Sequence, residues 1–177
     1  MRRMIVIGVL AVVVLLLAAQ FGPSLVRGET VHAASKTASR AASPIFGVTI
    51  PDGYRDWKMI AVAHEEGLDE LRGVLGNDVA VKAYQQGALP FPDGTILVKL
   101  AWKHVPVDGL DGAFVTGPAT TVQVMVKDAK KYASTGGWGF GRFIDGAPVD
   151  EMQHRTCVPC HQAHVKNHDI VFTRFAR

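Results

Sequence analysis

Cysteine is scarce: two in 177 residues exclude a scaffold stapled by disulfides. Charge of one sign is scarce too. The chain has 19 basic and 16 acidic residues, and beyond residue 33, past Arg2, Arg3, Arg27 and Glu29, the balance is 16 to 15. The pI of 9.0 therefore marks no basic patch in the body, and no nucleic-acid partner is expected. There is no internal repeat and no low-complexity tract outside residues 28–43. With 48% hydrophobic and 20% charged residues, what remains is one ordinary globular domain.

A long hydrophobic run occurs once. Met1-Arg2-Arg3 precedes 16 uninterrupted apolar or glycine residues, Met4 to Ala19. A charged start and an apolar stretch of this kind make residues 1–33 a secretory signal peptide or an N-terminal transmembrane anchor. Two cleavage sites compete: Val31-His32-Ala33 lies far from the run, and Ala18-Ala19 has Leu17 at the −3 position. The arginines keep the N-terminus cytoplasmic and send the body to the periplasm, released or anchored to the inner membrane. Residues 34–44, rich in Ala, Ser, Thr and Lys, read as a flexible tether, and residues 45–177 as the functional domain.

In that domain the pattern predicts α+β, with an antiparallel sheet as the main element. Strands are expected at Trp57–Ala63, Thr95–Trp102, Thr121–Lys127, Trp138–Ile144 and Ile170–Phe175. Asn77 caps a helix over Asp78–Gln86 that Gly87 stops, and Asp128 caps a turn through Tyr132. Such helices are too short for regular βαβ crossovers.

Cys157-Val158-Pro159-Cys160-His161 carries the chemistry. It is the c-type haem attachment signature: two thiols add to the haem vinyl groups, and the adjacent histidine becomes the axial iron ligand. Zinc is the main competitor, with His164 and His168 as further ligands, but it leaves the place of His161 a coincidence. A thioredoxin-like pair belongs near a βαβ pattern, and a plain disulfide needs no histidine. No methionine follows His161 to close the iron. A sixth ligand has to come from Met59, Met125, Met152, His64, His104 or His154. An open, five-coordinate iron with an apolar distal side is the favoured expectation, and open iron binds small molecules; a simple electron carrier is the alternative.

Phe91-Pro92-Asp93-Gly94-Thr95-Ile96-Leu97-Val98-Lys99, Trp138-Gly139-Phe140, CVPCH and Val171-Phe172-Thr173-Arg174-Phe175 together resemble the cytochrome P-460 family, which includes the cytochromes c′-beta. The resemblance spans Ile45 to Phe175. It implies a β-rich fold, often a homodimer, and one covalent haem c with His161 as proximal ligand. Some members oxidise hydroxylamine and pass electrons to an exported redox partner; others bind nitric oxide. The oxidisers carry a lysine bonded to a haem carbon, for which Lys99 stands in the matching place, and a distal arginine, matched by Arg72. An acidic residue near the substrate maps loosely around Asp150 and Glu151.

Lys99 is unusual on local grounds as well. In an extended Thr95–Trp102, Ile96, Val98, Leu100 and Trp102 share one face, and Thr95, Leu97, Lys99 and Ala101 the other. A lone ammonium among these needs a partner, a lowered pKa, a route to water, or a covalent bond to the haem edge.

Overall fold

Six strands pair strictly in chain order, each antiparallel to the next: β1 (Lys58–Glu65), β2 (Glu70–Gly76), β3 (Ile96–Pro106), β4 (Phe114–Lys127), β5 (Trp138–Ile144) and β6 (Ala147–Pro148). The coordinates, a computed structural model, describe residues 41–177. The candidate signal or anchor lies outside the described residues, as does most of the tether. No helix among the described residues is long and apolar enough to cross a membrane. Ser43, read from sequence as tether, is buried: its hydroxyl donates to Phe140 O (2.8 Å) and accepts from Val48 N–H. The packed domain therefore starts before residue 45.

Three α-helices complete the described chain: α1 (Asp78–Gln86), α2 (Glu151–Arg155) and α3 (Cys157–Val165). The fold is α+β, as the pattern implied. Helix α1 has the predicted ends. Asn77 Oδ1 accepts from Ala80 N–H and also from Ile96 N–H, so one side chain caps the helix and seats the start of β3. Gly87, at φ 64°, closes the other end in the left-handed conformation.

The differences from the sequence reading have local causes. The β3–β4 hairpin runs past Trp102 and begins before Thr121, because bulges around Trp102 break the alternation that marked the strands. Strand β2 was not anticipated, since its two glycines and its Glu70 and Arg72 hide any apolar period. Residues 170–175 are not a strand. Asp169 and Ile170 adopt left-handed φ values of 49° and 53°, which turn the chain out of extended pairing. Val171 is nonetheless buried and Phe175 stacks on Tyr84, so the apolar run packs without a ladder. Asp128 holds the predicted turn by accepting from Lys130 and Lys131 N–H.

On one sheet face Val98 and Val124 pair directly and are buried. Gly139 and Gly141 on the neighbouring strand leave room there for Tyr132 and Val48. A methyl at Gly139 overlaps the Tyr132 ring, whose hydroxyl is fixed by Phe46 O at 3.0 Å. Gly139→Ala is therefore expected to cost about 3 kcal/mol. Gly67→Ala, whose added methyl meets nothing within 4 Å, should change stability little. Urea unfolding of the two variants tests the contrast.

Candidate functional site

The opposite sheet face forms the floor of a cavity of about 740 Å³, within the range of small-molecule and cofactor sites. Strand register explains the floor. Val74, Lys99, Gln123 and Arg142 stand side by side across β2 to β5, and Leu97, Met125 and Phe140 form the next row. Helices α2 and α3 and the segment 171–174 close the cavity. Pro159 falls in the first turn of α3, where its missing N–H is harmless, and it prevents α2 and α3 from continuing as one helix.

The cavity gathers Cys157, Cys160, His161, Lys99 and Arg72, which lie up to 89 residues apart in sequence. Cys157 and Cys160 are free thiols on α3. Burial pushes the Cys157 thiol up from its ordinary pKa, partly offset by the Arg142 charge. The His161 ring packs edge-on between Phe140 (centroids 5.0 Å) and Phe172 (4.9 Å). Its Nδ1–H donates to Ile170 O at 2.7 Å. A carbonyl can only accept, so Nδ1 carries the proton and Nε2 presents a lone pair. Burial lowers the pKa of His161 against the opposing pull of that hydrogen bond, and the Lys99 charge lowers it further.

Lys99 has no hydrogen bond or ion pair among the described residues. Burial first, and then the Arg72 charge, lower its pKa to about 8. Arg72 is fully engaged. Its Nε and Nη2 donate to Glu70 Oε2 at 3.1 and 2.8 Å, and Nη1 pairs with Glu65. Glu70, 6% exposed, also accepts from Thr120 Oγ1 at 2.7 Å. Beside its apolar lining, the cavity wall carries Glu70, Arg72, Lys99, Gln123 and Arg142.

Glu70 and Arg142 were missed. Glu70 had no signal because its strand had none. Arg142 was readable, since Trp138, Phe140 and Arg142 alternate onto one face of a predicted strand. Asp150 and Glu151 are not cavity acids: Asp150 caps α2 through Gln153 N–H, and Glu151 pairs with Arg155 at the surface. Nor do the histidines gather for zinc; among the described residues no three metal-binding side chains cluster. His168 Nδ1–H donates to Val171 O, and His164 leans on Phe172 at the cavity edge.

The family model for cytochrome P460 matches residues 51–173, nearly the whole described domain. The chain belongs to the cytochrome P460 family. None of the curated proteins compared with the chain gives a significant match. Membership implies a haem cofactor, and this cytochrome P460 cavity suits one. The buried Arg142 Nε has no partner, and the Lys99 amine beyond Gln123 in the same row has none. An unpaired buried guanidinium fits a group that brings its own carboxylates, as haem does with its propionates. In this cytochrome P460 domain Cys157, Cys160 and His161 are the residues that would hold the group, which would supply an iron able to change oxidation state and to bind a small molecule.

Proposed function

We propose that the chain is an exported cytochrome carrying one haem c, bonded through Cys157 and Cys160, with His161 as axial ligand. Its sixth iron position is free for nitric oxide or a similar small nitrogen ligand. The observation that carries this reading is the His161 geometry: a half-buried imidazole, its Nδ1 proton committed to Ile170 O, with Nε2 left to coordinate in the cavity that both thiols share.

The candidates for a sixth ligand support an open position. His154 is fully buried with both ring nitrogens committed, to Asp150 O and Arg142 N–H. Met59 packs beside Gly73 on the other sheet face, and Met152 is 79% exposed. His104 lies flat on Phe114 outside the cavity lining; His64 reaches the cavity rim, but its ring is stacked on His104. Met125 does line the cavity, but in register with Phe140, the ring against which His161 packs.

A second reading is an oxidoreductase acting on hydroxylamine or a similar small nitrogen compound and passing electrons to an exported acceptor. The observation favouring it is Lys99: an unpartnered amine of lowered pKa, on the wall of the same cavity. Near pH 8 about half of such amines are neutral and nucleophilic. A bond to a haem carbon, formed with loss of one hydrogen from each partner to a two-electron oxidant, would remove the penalty of a buried ammonium.

Export with haem-maturation machinery should give a protein heavier than the polypeptide by one haem, with colour that survives acid–acetone extraction. Ferrous protein should bind nitric oxide or carbon monoxide. Extractable colour refutes the covalent haem, and a low-spin ferrous spectrum that resists both gases moves the protein to the electron carriers. Tryptic mapping separates the two readings: a haem peptide containing both CVPCH and the Lys99 strand marks the oxidoreductase.

A further inference from the structure

The ion pair Lys127–Asp169 lies at the end of β4, outside the cavity lining. Lys127 is 6% exposed, and its ammonium reaches both Asp169 carboxylate oxygens at 2.9 Å. The same Nζ donates to Gly136 O (3.1 Å) and sits 5.2 Å from the Trp138 ring centroid. Asp169 Oδ2 also accepts from Phe91 N–H at 2.9 Å. One carboxylate is thus tied to two distant segments of chain. Desolvation makes such a buried pair a poor source of stability, so its value is sought in what it orients.

The neighbour of Asp169 is Ile170, the residue whose carbonyl accepts from His161 Nδ1. Ile170 has φ 53°, a conformation that a β-branched residue adopts only when its surroundings impose it. Three restraints impose it here: the Asp169 anchor, the bond from Ile170 N–H to Val165 O (3.1 Å), and burial of the Ile170 side chain. Without the anchor, the backbone can relax toward ordinary φ and carry the carbonyl away from the imidazole.

We infer that Lys127 and Asp169 are positioning residues for the axial histidine, holding Ile170 O against His161 Nδ1 and so fixing the orientation and electron donation of the imidazole. This rests on the haem reading above. A strong bond at Nδ1 makes Nε2 a better donor and stabilises ferric iron. The pair therefore sets the reduction potential from outside the cavity.

The test uses the haem-loaded full chain. Asp169→Asn keeps an acceptor for Phe91 N–H but removes the charge, and Lys127→Met with Asp169→Asn leaves no buried charge at all. Both should retain covalent haem. Each should raise the reduction potential, by about a tenfold shift in the ferric–ferrous equilibrium, or about 59 mV for one electron. The ferrous iron–imidazole stretching band should fall in frequency. Lys127→Arg, which keeps the pair, should restore wild-type values. An unchanged potential and band in the folded variants overturns the proposal. So does a double variant that fails to fold, because the pair's role is then architectural. These readouts report on the His161–iron bond whether the sixth position is open or closed; covalent haem missing from the wild type would instead refute the functional reading.

Discussion

His161→Gly should keep its haem on the two thioethers yet lose more than about 100-fold in affinity for small ligands on the ferrous iron. That exceeds the effect of removing an outer partner of a metal ligand, because the ligand itself is gone. The variant leaves an imidazole-shaped slot between Phe140 and Phe172, with the Ile170 carbonyl still aimed into it. Added imidazole should therefore restore the wild-type spectrum and ligand binding in a saturable way. A haem-loaded variant with wild-type spectrum and gas affinity would show that another residue ligates the iron.

Replacement of Lys99 with methionine should separate binding from oxidation. If the amine is bonded to haem, Lys99→Met should lose the linked peptide and fall to about 1% or less of wild-type hydroxylamine oxidation, while nitric oxide binding persists. The pH dependence of stability gives a second reading of the same bond. A free Lys99 has a folded pKa of about 8, below the ordinary lysine value of about 10.4. Between those values the unfolded chain holds a proton that the folded chain has released, so stability rises with pH across the window. Below about pH 8 both states are protonated, and the penalty of the buried ammonium is constant. Wild type should gain on Lys99→Met by about 2–3 kcal/mol between pH 8 and 10.5 if the amine is free, and run parallel to it if the amine is bonded. Denaturant unfolding at a series of pH values distinguishes the two.

Where local rules decide the structure, the sequence was legible. Asn77 and Gly87 end α1 by chemistry contained in the helix itself. Trp138–Ile144 is a strand because two glycines precede it and its aromatics alternate. The CVPCH signature needs no fold to be read. Illegible parts depend on tertiary context. Glu70 and Arg72 make β2 look like a surface turn until Thr120, from a strand 50 residues away, supplies a partner for the buried carboxylate. The run Ile170–Phe175 has strand composition, but its entry is set by two left-handed residues held by the Lys127–Asp169 pair, the bond from Ile170 N–H to Val165 O and burial of Ile170. The resemblance placed Lys99 and Arg72 at one site, and both line it. That Arg72 is already saturated by two glutamates was beyond any linear pattern.

The strictly sequential pairing of the sheet bears on how the protein matures. Each strand pairs with the strand before it in the chain, so the loop-closure cost is small and the meander can assemble from sequential neighbours, with α1 as the one helical insertion, between β2 and β3. The segment bearing Cys157 and Cys160 follows all six strands and adds no rung to the ladder. Its docking needs the finished sheet face and is expected to follow it. On the haem c reading proposed above, both thiols would stay within reach of an attachment enzyme until it docks, while the surface that would receive the haem is already built. The order of elements along the chain would thus make prosthetic-group insertion the closing step of folding rather than its nucleus.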